Sequence, residues 1–282
     1  MALVRMSTLL DRARKNGIGC GAFGVYSMEA VRGTIRAASE KNTPVILQVA
    51  EARFVTAPLE LIGPMMLSAA NEADIDIAVH LDHGCSINTI KKALEMGFTS
   101  VMYDGSALSF EENAENTKRV KELAKQYDAD VEAELGLVGR REGGDKDYET
   151  ECTRPENAVL FLESVNVEAL AIAMGNQHGN YLSVPELRFD ILEEIHKKVP
   201  DQHLVLHGGS GISDKDFQRC IRNGITKINI ATAIVNNITQ KAAEYLQEVP
   251  GGNYYELSRR MVQGAYEAAA HHIDVFNMAG NL

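Results

Sequence analysis

The chain has 282 residues, of which 45% are hydrophobic and 24% are charged. This composition is typical of a globular protein with a sizeable core, and the length allows one large α/β barrel or two small domains. The net charge of -11 argues against a general polyanion-binding surface, because phosphate-backbone binding depends on clustered Lys and Arg. Nucleic acid is therefore not an expected partner, and any bound phosphate should be held at a local site of backbone amides.

The N-terminus and the cysteines bear on the location of the protein. The opening segment, MALVRMSTLLDRARKNG, has apolar residues at helical spacing among charges and no long apolar run of the kind found in secretory signals. No apolar stretch reaches the roughly 18 to 20 residues that a membrane span needs. The cysteines include no close pair, which argues against a zinc finger or a disulfide framework. We therefore expect a cytoplasmic protein without a membrane partner.

After this amphipathic N-terminal helix, apolar segments bounded by Gly, Pro or polar turns predict eight strands. Most are continuous apolar runs, which is the pattern of parallel strands covered on both faces. The predicted strands are residues 19–25, 44–49, 75–82, 100–104, 130–135, 168–175, 203–209 and 227–232. Amphipathic helical stretches lie between them and include residues 27–42, 86–98, 109–127 and 213–225.

Eight alternating β/α units favour an α/β fold, the (β/α)8 TIM barrel, with an added N-terminal helix and a C-terminal helical extension after about residue 250. An open doubly wound sheet is the alternative. The polar residues 139–154 form a long linker, of a kind that is usually either a functional loop or disordered. No repeat or low-complexity tract divides the chain, so we expect a single domain spanning residues 1–282.

Polar and ionisable residues lie at the ends of the predicted strands from the third strand onward. They are Asp82, His83, Asp104, Glu134, His178, His207, Asn229 and Thr232. In a TIM barrel these strand ends form the rim where catalysis takes place. Three histidines near carboxylates suit zinc, cobalt or iron, because three protein ligands leave a position open for a substrate oxygen. A single histidine at a strand end is more often an ordinary hydrogen-bonded residue, so the prediction rests on three equivalent positions.

The remaining histidines are interpreted as structural. His80 shares a strand face with Asp82, whereas His83 points the other way unless the strand has already ended there. Four others lie on helical or loop segments and are predicted to be surface or packing residues: His196, His203, His271 and His272.

The glycine-rich segment HGGSG, residues 207–211, ends a strand and opens a helix. Its backbone N–H groups could bind an anion, although glycines at such a turn need no ligand. The next strand end, NIAT at residues 229–232, would place further amides beside it, and phosphate sites after strands seven and eight recur in TIM barrels. A metal beside a phosphate site indicates chemistry on a small phosphorylated carbonyl compound. Aldol cleavage, enolisation and isomerisation all remain open.

Motifs along nearly the whole chain resemble the class II (metal-dependent) ketose-bisphosphate aldolases, which include the fructose- and tagatose-bisphosphate enzymes. The matching motifs are GAF near 21, PVILQ at 44, VHLDHG at 79, GFTSVMYDGS at 97, VEAELG at 131, HGNY at 178, LVLHGGSG at 204 and GITKINIAT at 224. The resemblance implies cleavage of a ketose phosphate, first of all fructose or tagatose 1,6-bisphosphate, to dihydroxyacetone phosphate and an aldehyde. It also implies a homodimer or homotetramer.

The resemblance further implies metal-site roles. His83, His178 and His207 would bind a catalytic zinc ion or another divalent metal. Asp104 and Glu134 would support the site or a second cation position, where a monovalent cation is one option.

Proton transfer and phosphate binding are assigned by the same resemblance. Asp82 would exchange a proton with the substrate hydroxyl at the bond that is cleaved. Glu142, in the polar linker, would move the proton at the carbon of the dihydroxyacetone phosphate enediolate. The phosphate would be bound by Gly179, Gly208, Gly209, Ser210, Asn229, Ala231 and Thr232, largely through backbone amides.

Several residues depart from the family pattern. Gly24 and Ser27 stand where asparagines are common, residues 49–54 (VAEARF) replace a small serine-containing segment, Leu182 stands where a lysine is common, and the C-terminal FNMAGN lacks a familiar serine. These departures cluster where the aldehyde half of the substrate would lie. The hypothesis is that the aldehyde differs from glyceraldehyde 3-phosphate, with Arg53 either contacting a distal anion or forming a surface salt bridge.

Other functions remain as alternatives. One is a related aldolase for another ketose phosphate in sugar or inositol catabolism, and another is a catalytically silent sugar-phosphate-binding barrel. Retention of Asp82, Glu142 and the three histidines argues against a silent protein. A metal-dependent hydrolase would normally carry an HxH pair on its first strand, and GCGAFGV has none.

Overall fold

Eight parallel strands form a closed barrel in the computed structural model, which describes residues 3–141, 151–179 and 185–278. The strands are β1 (Cys20–Gly24), β2 (Val45–Ala50), β3 (Ile77–Gly84), β4 (Ser100–Tyr103), β5 (Asp130–Leu135), β6 (Gly139–Arg141), β7 (Ala169–Ile172), β8 (Gln177–Gly179), β9 (His203–Leu206) and β10 (Ile225–Ile230). The barrel order is β1-β2-β3-β4-β5-β7-β9-β10, and β10 pairs back to β1. Closure confirms the (β/α)8 prediction over the open sheet. The strands β6 and β8 form a separate two-stranded parallel sheet.

Helices connect the strands and extend the chain at both ends. They are α1 (Met6–Asn16), α2 (Met28–Glu40), α3 (Leu59–Glu72), α4 (Ile87–Met96), α5 (Phe110–Lys125), α6 (Pro155–Ser164), α7 (Phe189–Lys198), α8 (Asp214–Arg222), α9 (Thr232–Glu248) and α10 (Tyr254–Met278), and a short 3-10 helix covers Glu51–Arg53. The helices predicted from the sequence begin after a serine whose side chain accepts a hydrogen bond from the backbone N–H three residues later. These capping serines are Ser27, Ser86, Ser109 and Ser213.

The hydrophobic core has two parts on opposite sides of the barrel wall. The larger part lies between the strands and the surrounding helices. The smaller part fills the end of the barrel where the strands begin, and there α1 packs against mostly small strand residues. Its members are Met6, Leu9, Leu10 and Ala13 of α1 with Cys20, Ala22, Ile46, Ala78, Ala169, Ala171 and Val205. The N-terminal helix therefore closes this end of the barrel.

The interior of the barrel becomes polar toward the opposite end. Alternate residues of β5, Asp130, Glu132 and Glu134, share one face of the strand. At the closed end, Asp130 accepts hydrogen bonds from Nε of Arg5 at 2.8 Å and from the backbone N–H of Ser7 at 2.6 Å. Glu132 and Glu134 continue this acidic face toward the open end, where the strands finish.

The C-terminal helix α10 confirms the predicted helical extension. It packs along α2 and α9. Gly33 permits this close approach, because a Cβ at that position would lie 2.5 Å from the Cβ of Ala265. Among the residues that the structure describes, no helix is both long and apolar enough to cross a membrane.

Candidate active site

The end of β3 carries Asp82 and His83 to the open end of the barrel. Asp82 keeps the strand alternation and shares a face with His80. His83 has a φ of 45°, a left-handed conformation that is uncommon outside glycine. This backbone turn brings the His83 ring against the rings of His178 and His207, with centroids 4.7 Å away in each case. It explains how neighbouring residues can both face the site although strand alternation alone would separate them.

Three histidines come together at this opening. His83 lies in β3, His178 lies in β8, and His207 directly follows β9. One nitrogen of each ring lies within 4.8 Å of the other two, and Nε2 of His83 is 3.0 Å from Nδ1 of His207. The structure thus assembles the three predicted ligands in an arrangement that could hold a divalent metal ion.

Carboxylates contact the outer nitrogens of two of these rings. Nδ1 of His83 lies 2.7 Å from Oδ2 of Asp104, and Nε2 of His207 lies 2.8 Å from Oε1 of Glu132. Such partners fix the tautomer and orientation of metal-binding imidazoles in proteins. The donor set therefore fits a metal bound through Nε2 of His83 and Nδ1 of His207.

Acidic residues make the same opening favourable for a cation. His83, Asp104 and Glu134 form a second group whose ligand atoms lie within 4.8 Å of one another. Burial by itself would lower the pKa of His83, but Asp82, Asp104 and Glu134 outweigh it and raise that pKa to about 9. A positive charge at His83, whether a proton or a nearby metal ion, is therefore stabilised.

Two buried charges beneath the cluster were missed by sequence reasoning. Glu132 and Lys227 both have fully buried side chains, and Nζ of Lys227 lies 2.9 Å from Oε2 of Glu132. Lys227 also donates to Oδ1 of Asn229 at 2.7 Å. The signal available was strand alternation, since Glu132 lies two residues before Glu134 and Lys227 two before Asn229. Each pair shares the inward face of its strand.

The other histidines lie outside the cluster. His80 is fully buried, with Nδ1 2.9 Å from Oγ of Ser100 and Nε2 3.7 Å from Oε2 of Glu132. These contacts agree with the structural role predicted for it. His203 differs from the prediction of a helical or loop position, because it begins strand β9; it is buried there as a packing residue, with Nε2 3.1 Å from Oδ1 of Asp11. The remaining three lie on outer helices: His196, His271 and His272.

Asp82 is buried beside the cluster and is held by two amide groups. Nε2 of Gln48 donates to Oδ2 at 3.1 Å, and Nδ2 of Asn229 donates to Oδ1 at 3.1 Å. Both donors are neutral amides, and they orient the Asp82 carboxylate beside the histidine cluster. The Asn229 side chain is thus engaged with Asp82 and Lys227, so the phosphate contact predicted for Asn229 would have to come from its backbone.

The predicted phosphate-binding residues lie on three adjoining segments: Gly179 in β8, residues 208–210 after β9, and residues 231–232 at the start of α9. The N-cap residue of α9 is Ala231, whose side chain cannot accept a capping hydrogen bond. Backbone N–H groups at the start of α9 could therefore contact an anion. Some polar groups of these segments are already bonded within the protein. The Gly209 N–H donates to the Asn229 carbonyl at 3.2 Å, and the Ser210 hydroxyl accepts from the Ala233 N–H at 2.9 Å.

Two sequence-based assignments, Glu142 and Leu182, lie outside the described residues. The predicted linker, residues 139–154, begins with β6, which pairs with β8 in the register Arg140 to His178. This strand places the start of the linker beside one of the clustered histidines.

A cavity of about 250 Å³ opens beside the cluster. Asp82, His83 and His178 line it, and Tyr26 and Arg53 are two further polar residues in its lining. The Arg53 guanidinium donates a hydrogen bond to the Tyr26 hydroxyl, while burial and the nearby Asp82 carboxylate raise the pKa of Tyr26. The cavity therefore offers a guanidinium group, Arg53, and a phenol hydroxyl, Tyr26, as hydrogen-bond donors near Asp82.

Gly24 leaves the room that this pair needs. A Cβ at Gly24 would lie 2.9 Å from the Tyr26 hydroxyl and 2.7 Å from the Cβ of Ala231. Tyr26 therefore reaches into space that an asparagine at this position would fill. The departure from the common sequence pattern thus has a packing consequence inside the cavity.

Known proteins resemble this chain over nearly its whole length. The sequence profile "Fructose-bisphosphate aldolase class-II" matches residues 4–281. A sulfofructosephosphate aldolase from Alkalicoccus urumqiensis is 37% identical over 268 residues, which cover 94% of this chain and 92% of that protein. The crystal structure of the YdjI aldolase from Escherichia coli K12 has a TM-score of 0.85 and 32% identity and covers 97% of both chains.

A crystal structure from Coccidioides immitis, described as that of a candidate fructose-1,6-bisphosphate aldolase, has a TM-score of 0.88 and 29% identity. It covers 98% of this chain and 97% of its own. Together with the matching profile and the barrel, these similarities agree with the motifs at the strand ends. The chain belongs to the class II fructose-bisphosphate aldolase family and is an aldolase, a carbon–carbon lyase.

Proposed function

We propose that this protein catalyses the reversible aldol cleavage of a ketose 1-phosphate to dihydroxyacetone phosphate and an aldehyde. One observation carries the proposal: Asp82, a carboxylate held by neutral amides, lies beside a cluster of three imidazoles at the open end of the barrel. His83, His178 and His207 would hold a zinc ion. Bound there, zinc would polarise the ketose carbonyl and stabilise the negative charge that develops on its oxygen.

Asp82 would remove the proton from the substrate hydroxyl next to the bond that breaks. The carbon that bears this hydroxyl becomes the aldehyde, and the electron pair of the broken carbon–carbon bond stays with the dihydroxyacetone phosphate half. Protonation of that half at carbon completes the reaction, and the family resemblance assigns this step to Glu142. In the direction of synthesis, Asp82 returns its proton to the newly formed hydroxyl.

The phosphate of the dihydroxyacetone half would bind at the glycine segments and the start of α9. Gly179 and Gly208 have positive φ values of 85° and 62°, which orient their peptide groups in ways that other residues rarely allow. The N-terminus of α9 adds a partial positive charge. These features support phosphate contacts by the predicted set Gly179, Gly208, Gly209, Ser210, Asn229, Ala231 and Thr232, largely through backbone amides, while the Asn229 side chain bonds Asp82.

The far end of the ketose would carry a second anionic group that binds Arg53. Arg53 and Tyr26 line the same cavity as Asp82, and a guanidinium group suits the planar, multidentate recognition of phosphate or sulfonate oxygens. The relative from Alkalicoccus urumqiensis, named as a sulfofructosephosphate aldolase, favours a terminal sulfonate. Fructose and tagatose 1,6-bisphosphate are the alternatives with a terminal phosphate.

A substrate panel with an Arg53 variant tests this assignment. The panel contains 6-deoxy-6-sulfofructose 1-phosphate, both bisphosphates and fructose 1-phosphate, which lacks the distal anion. We expect Arg53→Gln to lower kcat/KM about 10- to 100-fold for the three substrates with a distal anion, which is the contribution of one charged hydrogen bond. The loss for fructose 1-phosphate should be much smaller. The matched control is Arg119→Gln, because Arg119 is an exposed arginine on α5.

Two outcomes of the panel would contradict the substrate assignment. A clear preference of the unaltered protein for fructose 1,6-bisphosphate would exclude the sulfonate. Equal losses on all four substrates in Arg53→Gln would exclude a distal-anion role for Arg53.

The same proposal includes a cytoplasmic homodimer or homotetramer and a monovalent cation near Asp104 and Glu134. Light scattering on the purified protein tests the assembly. The dependence of kcat on sodium and potassium concentration tests the second cation.

A further inference from the structure

A buried ammonium group is linked to both the histidine cluster and Asp82, and the steps proposed for Asp82 and zinc do not involve it. Lys227 projects from β10 into the barrel with a fully buried side chain. Its Nζ contacts Oε2 of Glu132 at 2.9 Å and Oδ1 of Asn229 at 2.7 Å. Apolar residues of similar volume would often be as stable as such a buried ion pair. The Glu132–Lys227 pair is therefore better explained by its orienting of His207 and Asn229 than by a contribution to the stability of the fold.

One arm of this network ends at a predicted metal ligand. Oε1 of Glu132 lies 2.8 Å from Nε2 of His207, so the carboxylate accepts a hydrogen bond from that ring N–H. The lone pair of Nδ1 then faces Nε2 of His83, 3.0 Å away. Lys227 supplies the opposite charge that a carboxylate at this depth requires.

The other arm ends at Asp82. An ammonium group has only donors, so Asn229 must turn its Oδ1 toward Lys227 and its NH2 group toward Asp82. The observed bonds follow this order, with Nδ2 of Asn229 donating to Oδ1 of Asp82 at 3.1 Å. Without Lys227, the amide could rotate and place its oxygen against the carboxylate.

We propose that Lys227 is a positioning residue for both halves of the active site. Through Glu132 it fixes His207 for metal binding, and through Asn229 it fixes Asp82 for proton transfer. The second arm rests on the proposed function of Asp82, whereas the first arm concerns metal affinity alone.

The test uses the double variant Glu132→Gln/Lys227→Met, which removes both charges and leaves neither one buried without its partner. Zinc affinity is measured by chelator competition, and kcat and KM are measured at saturating zinc. We expect a zinc Kd about 10 to 100 times higher, as for other partners of metal-binding histidines. We also expect kcat to fall about 100-fold, in the range of lost acid–base catalysis, with little change in KM.

Glu132→Gln alone separates the two arms. It retains Lys227 and Asn229, so zinc should bind more weakly while saturating zinc restores most of kcat. Asn229→Ala leaves the Glu132–Lys227 pair intact and removes only the amide link to Asp82, so it keeps the second arm testable if neither Glu132 variant folds: kcat should fall while the zinc Kd stays unchanged.

The matched control is Arg5→Met/Asp130→Asn, which removes another ion pair two residues earlier on the inward face of β5. It should lower the free energy of unfolding without changing the zinc Kd. A folded Glu132→Gln/Lys227→Met protein with the original zinc Kd and kcat would overturn the proposal, as would an unchanged zinc Kd in Glu132→Gln. If the unaltered protein cleaves no ketose phosphate, the proposed function fails, but the zinc Kd still decides the first arm.

Discussion

Asp82 and His83 are neighbours in the sequence with different chemical surroundings. Asp82 accepts hydrogen bonds from Gln48 and Asn229, and both donors are neutral. The ring of His83 instead faces Asp104 at 2.7 Å and Nε2 approaches His207 at 3.0 Å. Because the two residues have separate partners, a substitution of one should separate proton transfer from metal binding.

Asp82→Asn should retain metal but lose cleavage. Asparagine keeps the size of the side chain but cannot take the hydroxyl proton, so we expect kcat to fall about 100- to 10,000-fold. The zinc Kd should stay within about threefold, since no predicted ligand is changed. Chelator competition and steady-state kinetics measure both quantities. His207→Ala should lose zinc and cleavage together, and a near-normal kcat in Asp82→Asn would rule out its role as the proton carrier.

Sequence patterns locate residues at the strand ends but do not locate pairs inside the barrel. Asp82, His178 and His207 follow or end apolar runs, so the sequence indicates that they lie at one rim. Glu132 lies within β5 and Lys227 within β10, and these two strands are not adjacent in the barrel. No local pattern predicts a pair that forms across the barrel interior.

At the scale of elements, α1 illustrates the same limit. Its apolar spacing predicts an amphipathic helix, and its position at the closed end of the barrel depends on small residues scattered over several strands. Leu10 is fully buried there among residues such as Ala22 and Ala169. The sequence could therefore predict the helix but not the surface that it covers.

Leu10→Ala should destabilise the protein without affecting the active site. Removing a fully buried leucine side chain costs about 2 to 5 kcal/mol, depending on how far the cavity collapses. Chemical denaturation measures the loss, and the zinc Kd should not change. Leu61→Ala is the control, since Leu61 is 70% exposed and its loss should cost less than about 0.5 kcal/mol. Equal effects of the two variants would contradict the packing of α1.

The helix α10 holds a buried histidine away from the active site. His272 packs against Phe217 and Phe276, and Nδ1 donates to the Ala268 carbonyl at 2.7 Å. Burial lowers the pKa of His272 from 6.5 to about 4, because the charged ring would be poorly solvated, and the neighbouring His271 adds to the effect. The hydrogen bond to the Ala268 carbonyl opposes this lowering of the pKa, and Asp214 opposes it to a smaller extent.

This pKa difference predicts how stability depends on pH. Between about pH 6.5 and 4 the unfolded chain binds a proton at His272 that the folded protein does not, so the folded state loses stability as the pH falls. The contribution is fully present above pH 6.5 and amounts to about 3 kcal/mol. Denaturation of His272→Met over this pH range should show a shallower slope. His271→Met, at an exposed neighbouring position, should keep the original slope, and an unchanged slope in His272→Met would contradict the assignment.

At the scale of the whole molecule, the barrel gathers at one opening groups that are far apart in the chain. The continuous apolar strands were sufficient to predict this fold and the rim where His83, His178 and His207 meet. The distal part of the cavity was harder to predict, because it depends on how Tyr26 occupies the space left by Gly24. The sequence therefore predicts the type of reaction more closely than it predicts which aldehyde is released.

The central claim is metal-dependent aldol cleavage by the histidine cluster. The most direct measurement is the cleavage rate of ketose 1-phosphates by the untreated, chelator-treated and zinc-reconstituted protein, with borohydride added in the presence of substrate as a parallel sample. We predict that chelation abolishes cleavage, that zinc restores it and that borohydride does not inactivate the protein. Cleavage that survives complete metal removal and is lost with borohydride would indicate a Schiff base and contradict this account.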